Sequence, residues 1–187
     1  IKRYLENSSA ARFLLVGPHN SGKSSIVLNI IGYNQNFLPV KTEECTKVGV
    51  IIKYAKKEEG IKMYETYFKT NENGLNYFEY NENNPMEVGE DSIKNKLDQL
   101  NNDPNAKTNL KFYLIKAPIE FLDQMNLSEE KKKSIELIDF PGLDTEFDEA
   151  QKRAKDLLKI IDGFIYVNYN ITFDSGNQEI LTLMYKT

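Results

Sequence analysis

Residues 17–25 read GPHNSGKSS and follow directly on the apolar run FLLV. Gly17, Gly22, Lys23 and Ser24 stand in the register G-x-x-x-x-G-K-[ST], the spacing of a loop that captures a phosphate chain. Glycines let the backbone curl so that its N–H groups converge on phosphate oxygens, and a helix starting behind them adds the positive end of its dipole. Lys23 supplies a point charge for the outer phosphates, and the Ser24 hydroxyl is placed to ligate magnesium. The plain alternative is a chance glycine-rich turn. The motif therefore demands a strand before it and a helix after it.

A second stretch, IELIDFPGLD at 135–144, is an apolar run that ends in an aspartate and continues as D-x-x-G. Asp139 there can hold magnesium through water, and the Gly142 N–H can meet a terminal phosphate. An aspartate ahead of Pro-Gly also makes ordinary turns, so the first loop is what gives Asp139 its meaning. Between the two lies NFLPVKTEECTKVGVII. A threonine in a polar stretch just before a strand can close over magnesium with its hydroxyl and orient water with its carbonyl. Spacing alone leaves Thr46 and Thr42 both open. His19, the sole histidine, reads as a variable loop residue in preference to a general base, because phosphoryl transfer relies on positioning and charge. Cys45 reads as packing.

These groups must be carried by alternating elements. Residues 12–17 are expected as a buried strand and 24–32 as a helix, with Ile26, Val27, Ile30 and Ile31 on one face and Gly32 as its stop. Strands are expected at 47–55 and 60–69 around the charged turn AKKEEG. Residues 71–84, rich in asparagine, are expected as a solvated loop with a strand remnant at 75–80. A helix capped by Asp91 is expected over 91–101, since Ile93, Leu97 and Leu100 recur at helical spacing. Then come a strand at 111–116, an exposed connector NLSEEKKKS, a strand at 135–140, a helix at 146–161 and a buried strand at 163–168. This alternation predicts an α/β fold, a mainly parallel sheet with helices on both faces.

At 187 residues the chain is long enough for one compact core and too short to expect two. A formal net charge of -4 gives no global pull toward nucleic acid or acidic lipid, so nucleic acid is not expected as a partner. The single cysteine cannot form an internal disulfide, and no apolar run approaches the roughly 20 residues of a spanning helix, so a cytoplasmic setting is expected. Without an initiator Met, and ending inside the helix-like NQEILTLMYKT, the chain is expected to be a fragment.

Taken together, GPHNSGKSS, NFLPVKTEECT and ELIDFPGLD resemble the GTPase domain of the dynamin superfamily, from about Arg12 to Lys186. In that family the phosphate loop is followed by a phrase like F-L-P, here Phe37, Leu38 and Pro39, and then by a switch threonine, here Thr46. The resemblance implies a P-loop NTPase fold of the dynamin type. It places residues 1–187 in a single partial GTPase domain, with 1–11 as an entering segment and 56–134 as an insertion between the switches. It implies GTP as substrate, GDP as product, Mg2+ as cofactor and activation by a homodimer formed through the nucleotide face. Nucleotide contacts would come from Gly17, Asn20, Ser21, Gly22, Lys23, Ser24, Ser25, Thr46, Asp139 and Gly142. The metal would be held by Ser24, Thr46 and Asp139, and turnover would be carried by Asn20, Lys23, Thr46 and Gly142. Peripheral membrane attachment would come only through parts outside this chain.

Three departures accompany the resemblance. The base-selecting N/T-K-x-D element is expected beyond Met184, past the last residue, so guanine specificity is inferred and not read. Leu143 follows Gly142 where Ras-type small GTPases keep a glutamine, and a leucine cannot hydrogen-bond to water. Asn20 replaces the serine of typical dynamins and the arginine of guanylate-binding proteins and atlastins. Two readings stand for it. Its amide oxygen resembles the ligand of K+ in potassium-activated GTPases, or it shapes the loop through a side-chain to backbone hydrogen bond. Two rival functions remain: a nucleotide-dependent binding switch or hydrolysis-deficient relative acting by partner recognition, and a P-loop ATPase or kinase of another family.

Overall fold

In a computed structural model of the chain, residues 10–18, 21–32, 38, 48–70, 72, 76–104, 111–140, 157 and 160–168 are described. The run ARFLLV forms β1 (Ala11–Val16), and α1 (Lys23–Ile31) follows after the glycine-rich turn. Leu15 of β1 packs on one side of the sheet and Leu14 and Val16 on the other, as an interior strand requires. The chain continues through β2 (Gly49–Tyr54), a 3-10 turn (Lys57–Glu59), β3 (Lys62–Glu65), β4 (Tyr67–Thr70), β5 (Asn76–Glu79) and β6 (Glu87–Val88). Then come α2 (Glu90–Asn102), β7 (Phe112–Ala117), α3 (Glu120–Gln124), α4 (Glu129–Lys133), β8 (Ile135–Asp139) and β9 (Gly163–Tyr166).

Seven strands form one sheet in the order β6-β3-β7-β2-β8-β1-β9, while β4 and β5 pair as a separate hairpin. β1 runs parallel to both β8 and β9, and β2 runs parallel to β7. Antiparallel joins occur at β2/β8, β3/β7 and β3/β6. The fold is α/β, as the alternation predicts. The parallel block β8-β1-β9 carries the loop, and the antiparallel joins lie on its other side.

Two apolar layers sandwich the sheet. On one face Val27 and Ile31 of α1, Ile93 and Leu97 of α2 and Leu122 of α3 pack over Leu15, Ile52, Ile115 and Leu137. On the other, Leu14, Ile51, Leu114 and Ile138 meet Phe140, Leu157 and the hairpin residue Phe78. Of the expected helix at 146–161, only Leu157, Ile160 and Ile161 lie within the described residues; Leu157 is helical and buried. Among the described residues no helix is long and apolar enough to cross a membrane.

Several local expectations are corrected. The strand expected at 60–69 breaks at Thr66, whose hydroxyl donates to the Phe112 carbonyl at 2.7 Å, so β4 leaves the main sheet. The stretch after it is more than a solvated loop: Phe78 lies 5.2 Å from Phe68 and 5.2 Å from Phe112, which seats the hairpin on the sheet. Gly89, not Asp91, caps α2, which begins one residue early at Glu90. The connector NLSEEKKKS contains α4, capped by Ser128, whose hydroxyl accepts from the Lys131 N–H at 3.3 Å. Lys132 in its middle is only 8% exposed. It lies 5.4 Å from the centre of the Tyr54 ring and within reach of Asp123 and Glu129. β9 is only partly buried, because it is the last strand of the described sheet and leaves Phe164 43% exposed.

Candidate functional site

The site forms where parallel strands end. The register of β1 and β8 sets Leu15 beside Asp139, and the Val167 N–H donates to the Val16 carbonyl at 2.8 Å. The carboxyl ends of β8, β1 and β9 therefore converge beneath the loop, the place where open α/β sheets hold ligands.

Two glycines shape the loop. Gly22 adopts φ 89°, a left-handed conformation that costs a side-chain-bearing residue ~1–2 kcal/mol, and it opens α1 as its N-cap. At Gly17 a Cβ would overlap the Val167 carbonyl oxygen and stand 3.0 Å from Ser21 Oγ. Only glycine lets the loop pass that close to the end of β9.

Lys23 is the first residue of α1 and is 7% exposed. No acidic residue occupies that first turn, and no side chain caps the helix. A buried cation at the positive end of a helix is electrostatically unfavourable by itself, and the Asp139 carboxylate is close enough for the two charges to act on each other. Its Nζ bends back to donate to the carbonyls of Gly17 at 3.0 Å and Pro18 at 2.7 Å. The Lys23 ammonium and the N–H groups at the start of α1 thus lie together at the ends of the parallel strands, an arrangement that would stabilise an anion.

Ser24 and Asp139 meet across 115 residues of sequence: the hydroxyl donates to Oδ2 at 2.6 Å. Asp139 is 1% exposed, and its buried Oδ1 has no hydrogen-bond partner among the described residues. Burial pushes its carboxyl up to about 6, against the opposing pull of the Ser24 hydrogen bond and the Lys23 charge. A hydroxyl and a carboxylate with a spare buried oxygen fit a hard divalent cation. Mg2+ in phosphate sites takes one or two protein oxygens and completes its shell with phosphates and water. No group of three or more His, Cys, Asp or Glu gathers among the described residues.

Of the residues singled out from the sequence, Gly17, Ser21, Gly22, Lys23, Ser24, Ser25 and Asp139 lie in the loop, at the start of α1 or at the end of β8. Ser21 Oγ is buried with no hydrogen-bond partner among the described residues, and the Ser21 backbone N–H donates to the Pro18 carbonyl at 3.3 Å. Asn20, Thr46 and Gly142 lie outside the described residues, as do His19, Thr42, Cys45 and Leu143. Leu38 of the F-L-P phrase is buried in the α1 and α2 layer. The Val167 carbonyl, which fixes the need for glycine at 17, carries no signal in the sequence because any residue would supply it.

Comparison with known proteins adds a consistent result. No curated protein matches the chain. Two solved structures of an oligomerised bacterial dynamin pair, described as a mechanism for long-range sensing and tethering of membranes, match with TM-scores of 0.53 and 0.51. They are 22% and 21% identical and are matched over 95% and 94% of this chain. The chain spans 24% and 23% of their lengths. At that identity the likeness establishes the fold, which is that of a P-loop NTPase. A model of the dynamin family matches residues 14–186. That span takes in the loop, α1 and the Ser24–Asp139 pair, and the chain belongs to the dynamin family.

Proposed function

We propose that the chain is the nucleotide-binding part of a magnesium-dependent GTPase. The carrying observation is Lys23, a buried cation at the start of a helix that has no carboxylate in its first turn. The dynamin-family match supports binding and hydrolysis of GTP in general terms and favours guanine over an ATPase of another family. On this reading residues 1–187 are one partial GTPase domain, entered through 1–11 and carrying an insertion at 56–134. In support of the insertion, β3, β6 and β7 all lie on the same side of β2.

Backbone N–H groups of the loop and of the start of α1 take phosphate oxygens, and Gly17, Ser21, Gly22 and Ser25 keep that surface open. Lys23 Nζ exchanges the Gly17 and Pro18 carbonyls for outer-phosphate oxygens. Ser24 and Asp139 hold the metal. Bound Mg2+ supplies charge neutralisation across the outer phosphates. The Thr46 hydroxyl joins that shell while its carbonyl orients water, and the Gly142 N–H meets the terminal phosphate. These last two roles rest on the resemblance. Leu143 cannot orient water, so the transition-state charge is answered by K+ at Asn20 or by a partner subunit docked on the nucleotide face. Membrane attachment, where it occurs, is peripheral and comes through parts outside these residues.

Phosphate release from GTP and from ATP by a version extended past Thr187 tests the reading. Turnover of GTP over ATP, lost without magnesium, is expected; preference for ATP overturns it. Binding without phosphate release would leave a nucleotide-dependent switch. Ser24→Asn is expected to cost about tenfold or more in affinity when magnesium is present and little when it is chelated, because the lost group is a metal ligand. Equal losses in both buffers would remove Ser24 from the metal shell. Replacing sodium by potassium at constant ionic strength is expected to raise GTP turnover, with Asn20→Ala removing the rise and sparing GTP affinity. Identical rates in the two salts would reduce Asn20 to a loop-shaping residue.

A further inference from the structure

Asn101 stands in the last turn of α2 and is 6% exposed. A buried amide must find partners for both of its halves. Its Nδ2 donates to the Leu97 carbonyl one turn earlier at 2.9 Å, and its Oδ1 accepts from the backbone N–H of Val48 at 3.3 Å. Val48 lies one residue ahead of β2 and is buried in the same apolar layer as Ile93 and Leu97 of α2. Leu38 is buried in that layer too. Leu38 and Val48 are the described residues on either side of 39–47, the stretch that carries Thr46.

We infer that Asn101 is a positioning residue for GTP turnover. By holding the backbone of Val48 it fixes the point at which the stretch carrying Thr46 enters β2, which makes α2 part of the support for the reacting end of the nucleotide. Thr46 is two residues from Val48, so a shift at Val48 passes along only about 7 Å of chain before reaching it. Turnover is sensitive to misplacement on the scale of about 1 Å. Diphosphate binding draws on the loop and Lys23 and is spared. The inference rests on the GTPase reading above and adds to it a residue that no phosphate-binding motif contains.

The test measures GTP turnover and GDP affinity in the full-length protein for Asn101→Ala, Asn101→Leu and Asn101→Asp. Ile93→Val, a methyl deletion two turns earlier on the buried face of α2, serves as the packing control. Asn101→Ala and Asn101→Leu are expected to lower turnover about tenfold while GDP affinity stays within about twofold. Asn101→Asp, which keeps the acceptor for Val48, is expected to recover part of the loss, and Ile93→Val to match wild type. Turnover within about twofold of wild type in the Ala and Leu variants overturns the inference. So does a fall in GDP affinity in step with turnover, or an equal loss in Ile93→Val, since each marks Asn101 as packing alone. A wild type that binds GDP but never turns over GTP overturns the GTPase reading and this inference with it. That result is told apart from the others because it needs no variant.

Discussion

Lys23→Ala is expected to lower nucleotide affinity by roughly two orders of magnitude while leaving the nucleotide-free fold intact. Losing one member of a desolvated, hydrogen-bonded charge pair costs ~2–5 kcal/mol in binding, and the Lys23 side chain is buried at the start of α1, where the proposed function puts the outer phosphates. The nucleotide-free protein loses the contacts to the Gly17 and Pro18 carbonyls but is relieved of a cation at the positive end of α1. Its melting temperature should therefore stay within about 4 °C of wild type. Calorimetric titration and a melting curve on the same sample check both halves. A variant that binds GTP as tightly as wild type removes Lys23 from the phosphate site. One that fails to fold makes it a structural residue.

Gly17→Ala is expected to damage both stability and binding. The added methyl overlaps the Val167 carbonyl oxygen, a backbone atom at the end of β9 that cannot swing away, so either the loop or the strand end must move. Overpacking of this kind costs ~1–3 kcal/mol, and a chain of this length loses roughly 2–4 °C in melting temperature per kcal/mol. Nucleotide affinity should fall with it, because the displaced segment bears the N–H groups proposed to take phosphate oxygens. Gly22→Ala makes a useful contrast: the space around it is open and only its positive φ resists a side chain. It should cost ~1–2 kcal/mol without disturbing β9. Equal melting temperatures for Gly17→Ala and wild type, measured by calorimetry, would mean that the close approach of loop and strand is not maintained in solution.

Why the loop was readable and other parts were not follows from where each constraint is written. Phosphate capture fixes residue types at adjacent positions, so Gly17, Gly22, Lys23 and Ser24 declare themselves within eight residues of sequence. Asp139 is readable only as half of a pair, since its contact with Ser24 spans 115 residues and either residue alone suits a turn or a cap. The sheet order is not written locally at all. Nothing in GVIIKY or IELID says that β2 and β8 run antiparallel, and that choice belongs to the long connection between them. Charge patterning misled at KKK: three consecutive lysines suggest a solvated run, but one helical turn directs Lys132 inward over Tyr54 while its neighbours stay in water. Asn101 was hidden for the opposite reason. An asparagine near a helix end is usually a solvated terminus, and the packing of α2 against Val48 gives this one a buried partner outside its own helix.

On the proposed function, the space between the loop and the end of β8 holds a magnesium-bound guanosine triphosphate. Calorimetric titration of GTP into the full-length protein, with magnesium and with chelator, tests it most directly. Saturable one-to-one binding that tightens when magnesium is present is the expected result. Absence of binding, or an affinity for GTP that ignores magnesium, would contradict the account at the Ser24–Asp139 pair on which it stands.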